Sequence, residues 1–144
     1  MRRSGSGLGS YEAWGCWPYE RDDPPRPVVD VVVEDPLTGE WVRVKARVDT
    51  GFSGHLLLPW EEFEKVSSLE IPAEERNVYS SVCGPVRMRG AKAYVEALGV
   101  RKLCLVETPL VGWAVPLLGR KLLAEARVAL LGPEGRLCLL RSRI

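Results

Sequence analysis

Two segments of the chain alternate apolar and polar residues with a period of two, which predicts strands that bury one face. The segment 41–48 reads W-V-R-V-K-A-R-V, so its small apolar residues share one side and its basic residues share the other. The segment 91–97, A-K-A-Y-V-E-A, repeats this pattern. A Val-rich run at 28–34 precedes the first segment, and the turn sequence D-P-L-T-G between the two predicts a β-hairpin.

The rest of the chain also consists of short apolar runs separated by turns that contain Gly or Pro. This pattern favours strands over helices. Short helices are predicted only after Pro59, in W-E-E-F-E-K, and at 120–127. Further strands are predicted at 56–58, 76–82, 86–98, 100–106, 115–118, 128–131 and 136–140. This series of strands with one or two small helices predicts an all-β fold that closes or folds over on itself.

Composition narrows the classes of function. The chain has 144 residues, which is enough for one domain with a substantial core. It carries 20 Lys and Arg against 19 Asp and Glu, so its charge gives no reason to expect a nucleic acid or a membrane as partner. The most apolar stretch, 105–119, is interrupted by Glu107, and the start, MRRSGSGLGS, lacks the apolar run of a signal peptide. We therefore expect a cytoplasmic protein.

The two ends of the chain differ from its middle. Residues 1–26 form a Gly/Ser/Pro-rich N-terminal extension that reads as a tail or linker, ahead of a folded domain at 27–144. Four large aromatic residues in this extension predict that part of it docks on a protein surface, such as a partner subunit. The apolar strands at 28–33 and 136–140 are expected at a subunit boundary, because the edge of an isolated sheet must be paired or covered.

The four cysteines lie at positions 16, 83, 104 and 138, and none belongs to a CxxC pair. The chain has one His, so a Cys/His zinc site is not expected, and neither is any other metal or cofactor. In a cytoplasmic protein the cysteines are expected to be reduced and packed as small apolar residues, although a disulfide is possible in a hyperthermophile.

The sequence V-D-T-G-F-S-G places Asp49 at the end of an apolar strand, followed by a small hydroxyl residue and a glycine. A single carboxylate does not by itself indicate a catalytic mechanism. Two carboxylates about 3 Å apart cannot both ionise comfortably, so they share a proton and can activate a water as an acid and a base. Because D-T-G occurs once, the pair would require a two-fold homodimer whose axis passes between two copies of Asp49.

Over about residues 28–141 the chain resembles the retropepsin-like aspartic proteases, which are single-lobe relatives of pepsin. Two motifs carry the resemblance: V-D-T-G-F-S-G, and V-P-L-L-G-R-K-L-L downstream. The resemblance implies a closed β-barrel, a homodimer and a peptide substrate. It also implies that the first motif forms the active-site loop, that L-L-G passes beside it in a ψ-shaped arrangement, and that the next arginine braces the loop. The residues that would support the loop in this way are Thr50, Gly51, Ser53, Leu118, Gly119 and Arg120.

The same resemblance implies a flap, which is a hairpin that covers the substrate channel. The segment 80–90 is the best match, with Val82, Cys83, Gly84 and Pro85 at its tip. The chain departs from the family at Ser53, where viral members usually carry an acidic residue that pairs with the arginine.

Other interpretations of these residues are simpler. Asp49 could be an Asx-turn residue of a hairpin. His55 could suggest a catalytic pair with Ser53, but no partner spacing supports that, and an exposed or capping His is favoured. The basic C-terminus, including Arg136 and Arg141, is expected to be solvated or paired at a dimer boundary. The favoured function is an aspartic endopeptidase, and the alternative is a noncatalytic protein-interaction module that retains the fold.

Overall fold

The computed structural model of the protein describes residues 9–143, which contain ten strands, two short α-helices and one 3₁₀ turn at Ala73–Glu75. The strands are β1 Tyr11–Pro18, β2 Val28–Glu34, β3 Trp41–Val48, β4 Leu56–Leu57, β5 Val78–Ser81, β6 Gly84–Ala97, β7 Val100–Pro109, β8 Leu117–Leu118, β9 Val128–Leu131 and β10 Arg136–Ser142. The helices are α1 Trp60–Lys65 and α2 Arg120–Leu123. The predicted all-β character with one or two small helices is confirmed.

Seven strands form one sheet in the order β2-β3-β8-β4-β7-β6-β5. The C-terminal half of the long strand β6 also pairs with β2, through Val33 opposite Val95. This extra pairing joins the two sides of the sheet around the core. It supports the expectation of a closed barrel, which remains a prediction.

The alternating segments bury the faces that the sequence predicts. In β3, Val42, Val44 and Ala46 are buried while the basic residues between them are exposed. In β6, the small residues from Ala91 to Ala97 are buried in the same alternating way. The core is completed by side chains with no exposed surface from β4, α1 and β8, each contributing about 1.5–3 kcal/mol of burial free energy. These are Leu56, Phe63 and Leu118.

The turn between β2 and β3 is fixed by Asp35, whose side chain is 1% exposed. Its Oδ1 accepts hydrogen bonds from the backbone N–H groups of Leu37 and Thr38. Its Oδ2 accepts one from the backbone N–H of Ser68, which is 33 residues further along the chain. Burial alone would raise the pKa of Asp35, but these hydrogen bonds, led by those from Ser68, outweigh it and lower the pKa. Asp35 therefore connects the hairpin to the segment that follows α1.

The N-terminal extension differs from its prediction. Part of it, Tyr11–Pro18, is strand β1, which pairs antiparallel with β10 in a second sheet of order β1-β10-β9. The linker interpretation of this stretch is wrong, while the docking predicted from its aromatic residues occurs within the same chain: Trp17 packs on the core and Trp14 lies 3.4 Å from the position of a Cβ on Gly99. The division at residue 26 into an extension and a domain remains a prediction. The first eight residues, on which the signal-peptide argument rests, lie outside the described range.

A disulfide joins Cys16 of β1 to Cys138 of β10, with the Cα atoms 4.1 Å apart. The expectation that all four cysteines are reduced is therefore wrong for this pair, whereas Cys83 and Cys104 are free thiols. Composition could not reveal the pairing, because the two partners are 122 residues apart and meet only through the register of β1 on β10.

The strands expected at a subunit boundary do not have free edges. β10 lies between β1 and β9, and β2 lies between β3 and β6. The argument that an unpaired edge at either strand requires a second subunit is therefore wrong, because the chain covers both edges itself. Between residues 9 and 143, no helix has the length and apolar character needed to cross a membrane.

Candidate active site

Asp49 follows β3 directly, in a loop fixed by its own backbone and side chain. Its N–H donates to the carbonyl of Leu118 at 3.0 Å, and its carbonyl accepts from the N–H of Phe52 at 3.2 Å. Its Oδ1 accepts from the N–H of Gly51 at 2.8 Å. The Asx-turn interpretation thus describes this hydrogen bond correctly, and the half-buried carboxylate is held in one orientation by it.

Strand β8 passes between β3 and β4, directly beside the Asp49 loop. Leu118 lies opposite Val48 in a parallel ladder and opposite Leu56 in an antiparallel one. A two-residue strand can hold this position because Leu118 is fully buried and its neighbours supply partners on both sides. L-L-G therefore lies inserted beside D-T-G, in the arrangement that the family resemblance implies.

Gly119 makes the crossing of the two motifs possible. Its N–H donates to the carbonyl of His55 at 2.9 Å, and the next N–H, that of Arg120, donates to the carbonyl of Phe52 at 2.9 Å. A Cβ on Gly119 would lie 2.3 Å from the carbonyl oxygen of Gly54, so no larger residue fits without a backbone shift. The second motif therefore stabilises the first through main-chain contacts.

A cleft of about 470 Å³ opens beside the Asp49 carboxylate. Its polar lining includes Ser53 of the loop and Tyr79, Ser80 and Ser81 of β5. Most of its surface is apolar, and the apolar lining residues are Phe52, Leu57, Val86, Met88, Pro109 and Leu117. A mostly apolar cleft of this size with a few polar groups is typical of a ligand-binding site, and Asp49 is its one carboxylate among the described lining residues.

The hairpin formed by β5 and β6 makes one wall of this cleft. Ser81 lies opposite Gly84, so the turn residues are Val82 and Cys83, and both are exposed. Gly84 has a φ of +107°, which a residue with a side chain rarely adopts. The structure thus places the predicted flap tip in a hairpin, but the residues that line the cleft come from the stems rather than from the tip.

The predicted loop-support residues lie in different environments. Thr50 is exposed beside Asp49, and Ser53 lines the cleft. The side chain of Arg120 is exposed, and among the described residues it forms no ion pair, so its contact with the loop is the backbone hydrogen bond to Phe52. The roles of Thr50 and Ser53 remain predictions.

Sequence reasoning missed a buried carboxylate near this site. Glu107 of β7 is 1% exposed, and its two oxygens accept hydrogen bonds from Tyr79 Oη at 2.6 Å and Asn77 Nδ2 at 2.9 Å. Burial raises the pKa of Glu107, while the two hydrogen bonds and Lys121 counteract the shift. The available signal was the position of Glu107, because it is the acid that interrupts the most apolar stretch of the sequence.

His55 does not line the cleft, and the exposed or capping role that the sequence favours remains a prediction. Its side chain is half-buried and is not among the residues that line the cavity. Burial lowers the pKa of His55, and the nearby Lys121 and Lys102 lower it further, against the opposite effect of Glu125. Over the part of the chain that is described, no group of three His, Cys, Asp or Glu side chains could hold a metal ion.

The sheet order, the inserted strand β8 and the Asp49 loop define a retropepsin-like β fold. Among solved structures, the chain is similar to the retroviral EIAV protease complexed with the inhibitor HBY-793, with a TM-score of 0.52 and 16% sequence identity. The similarity covers 69% of this chain and 86% of that protease. No protein-family model matches the chain, and no curated protein matches it either. The comparison shows the fold, and the activity is a separate matter.

Proposed function

We propose that the protein is an aspartic endopeptidase that acts as a two-fold homodimer, with one Asp49 from each subunit at the axis. The observation that carries the proposal is the position of Asp49: a carboxylate oriented by Gly51, braced by β8 and open to a cleft of about 470 Å³. The likeness of the fold to a retroviral protease supports this function.

The second carboxylate must come from outside the chain, because Asp49 is the one acid among the described residues that line the cleft. Thr50 and Gly51 are exposed beside it, so a second copy can approach the loop without unfolding it. A symmetric dimer then supplies a matching Asp49 from the same motif.

In the proposed reaction the two carboxylates share one proton and hold a water between them. The ionised Asp49 removes a proton from this water, whose oxygen attacks the carbonyl carbon of the peptide bond. The protonated Asp49 of the other subunit gives its proton to the carbonyl oxygen. The resulting tetrahedral intermediate loses its C–N bond as the carboxyl group that took the water's proton passes it to the leaving nitrogen. The other carboxylate takes a proton from one hydroxyl of the intermediate, which leaves an acid and an amine and restores the shared proton.

The lining of the cleft suggests the class of substrate. Leu57, Met88 and Leu117 line the cleft together with Asp49, and β5, which also lines it, is the last strand in the order of its sheet. An extended peptide with apolar residues beside the cleaved bond fits this surface, since backbone pairing supplies affinity and side-chain pockets supply preference.

The test is hydrolysis of a peptide library by wild-type protein and by Asp49→Asn, with and without an inhibitor that carries a transition-state isostere. Asp30→Asn, on the exposed face of β2, is the matched control. We expect cleavage by wild type and Asp30→Asn, inhibition by the isostere, and loss of turnover in Asp49→Asn. Turnover retained by Asp49→Asn would exclude the paired mechanism.

A second measurement tests the dimer. Specific activity should fall on dilution, with a midpoint that matches the dissociation constant from sedimentation. Activity that persists in a monomer at all concentrations would contradict the proposal. A protein that binds peptides without cleaving them at any concentration would instead fit the noncatalytic alternative.

A further inference from the structure

The buried carboxylate of Glu107 lies behind the wall of the cleft, and its contacts reach the hairpin. Tyr79 Oη donates to Oε1 at 2.6 Å, and Asn77 Nδ2 donates to Oε2 at 2.9 Å. Asn77 precedes β5 and Tyr79 belongs to it, so both donors lie at the base of the hairpin. Asn77 is also held to β6, because its carbonyl accepts from the N–H of Met88 at 3.1 Å.

The same tyrosine contacts the Asp49 loop. Its ring packs edge-on against Phe52, with the ring centroids 5.2 Å apart and the planes at 68°. Phe52 is in turn hydrogen-bonded through its backbone to Asp49 and to Arg120. Tyr79 therefore links three parts of the molecule: the hairpin, strand β7 and the active-site loop.

Gly54 gives this contact its space. A Cβ at position 54 would lie 2.8 Å from Tyr79 Oη and 2.9 Å from Glu107 Oε1. The second glycine of D-T-G-F-S-G thus leaves room for the tyrosine and the carboxyl group to meet beneath the loop. Burying a carboxyl group without such donors costs considerable free energy. Moving Tyr79 away would leave Glu107 without one of its two hydrogen bonds, so Glu107 holds Tyr79 in place.

We propose that Glu107 is a positioning residue that, through Tyr79 and Asn77, fixes the base of the β5–β6 hairpin over the Asp49 cleft. In this arrangement Tyr79 is both a wall of the cleft and the connection through which the hairpin is held. The effect on catalysis rests on the proposed endopeptidase function, whereas the effect on the hairpin does not.

The test compares full-length wild type with Tyr79→Phe, Glu107→Ala and Glu107→Gln. Tyr79→Phe keeps the ring and removes only the hydroxyl group. Glu107→Gln keeps an acceptor for Asn77 and can donate to Tyr79 Oη, so it serves as the conservative rescue. Tyr94→Phe is the matched control. Tyr94 lies on β6, the partner strand of β5, but its ring packs beneath Arg101 and does not line the cleft.

The first readout is amide hydrogen exchange. Exchange over 78–88 should accelerate at least about tenfold in Tyr79→Phe and Glu107→Ala, which corresponds to the loss of one hydrogen bond to a buried carboxyl group. Exchange in β3 should not change, and Glu107→Gln and Tyr94→Phe should resemble wild type. Unchanged exchange over 78–88 in Tyr79→Phe would overturn the proposal. An equal acceleration in β3 would also overturn it, because Glu107 would then act only on global stability.

The second readout is the kinetics of peptide cleavage. A loosened hairpin should raise KM by about tenfold in Tyr79→Phe and change kcat little, since Asp49 does not move. A loss confined to kcat would contradict the positioning role. If exchange over 78–88 follows the expected pattern while wild type cleaves no peptide, the role of Glu107 in the hairpin is supported and the endopeptidase function fails.

Discussion

Gly119 lies directly against Gly54, so that a Cβ on Gly119 would be 2.3 Å from the carbonyl oxygen of Gly54. It would also be 2.8 Å from the carbonyl oxygen of Phe52. Both obstacles are backbone atoms of the Asp49 loop, which cannot move aside as a flexible side chain can. The close approach of the two motifs is therefore possible only with glycine at this position.

The first prediction concerns this contact. Gly119→Ala should destabilise the protein by about 3 kcal/mol or more, because the loop must shift to admit the methyl group. Gly132→Ala is the control, since a Cβ there meets nothing within 4 Å. Denaturant unfolding measures both variants. A Gly119→Ala protein as stable as Gly132→Ala would mean that the loop is not held as described.

The second prediction concerns Asp35. Asp35→Asn removes the acceptor for the N–H of Ser68 and should cost about 1–3 kcal/mol at neutral pH. Asp30→Asn, exposed on the preceding strand β2, should change the free energy of unfolding by less than about 0.5 kcal/mol.

The acid dependence of this effect has a definite sign. The pKa of Asp35 is lower in the folded protein than its ordinary value. Its contribution to stability is therefore present above the unfolded pKa, roughly 3.9, and is lost as the pH falls through the folded pKa. The difference in stability between wild type and Asp35→Asn should shrink below about pH 4. A difference that stays constant down to pH 2 would exclude the ionised hydrogen-bonded carboxylate.

The sequence predicts features whose residues are close together along the chain better than features that depend on contacts between distant segments. The alternation at 41–48 and 91–97 identified two strands and their buried faces, because each pattern reports one sheet surface locally. The helix after Pro59 also had a local signal, a proline followed by acidic residues, and its six residues match Trp60–Lys65. The pairing of β1 with β10 had no local signal, since Cys16 and Cys138 meet only in the folded chain.

The candidate site also combines features that short sequence motifs reveal with contacts between distant residues that they do not. D-T-G and L-L-G were singled out because together they resemble the paired motifs of a known family, and the structure places them side by side. Glu107 and Tyr79 were not identifiable as a pair, because 28 residues and two changes of strand separate them. The exposed side chain of Arg120 also shows that a matching residue type does not guarantee the expected contact.

The third prediction concerns the disulfide. The double variant Cys16→Ala/Cys138→Ala should lose about 2–5 kcal/mol of stability, because the bond closes a very long loop in the unfolded chain. Cys83→Ala, at the exposed hairpin turn, is the control, and its free energy of unfolding should match that of wild type. Unfolding with and without reductant measures the effect in the unmodified protein.

Thiol titration checks the same bond independently. Cys83 should react in the native protein, whereas burial raises the pKa of the Cys104 thiol to about 11 and keeps it unreactive until unfolding. Denatured protein should show two thiols without reductant and four with it. Four thiols without reductant would contradict the bond between Cys16 and Cys138.

The fourth prediction concerns the hairpin turn. A Cβ on Gly84 has open space, but its φ of +107° makes any side chain strained there by about 1–3 kcal/mol. Gly84→Val should therefore distort the turn and slow turnover much more than it lowers the melting temperature, if the hairpin covers the substrate. Equal losses of turnover and stability would mean that the hairpin is ordinary scaffold.

The pairing of β1 with β10 determines how the molecule would respond to a mechanical load. Tyr11 lies opposite Ser142, so a force applied at residues 11 and 142 would peel the two strands apart from their outer end, one hydrogen bond at a time. The peeling would stop at Cys16 and Cys138, where a covalent bond carries the load. Everything between those two cysteines, including Asp49 and its cleft, would feel no tension. The chain could thus be pulled or tethered at residues 11 and 142 without tension reaching its candidate active site.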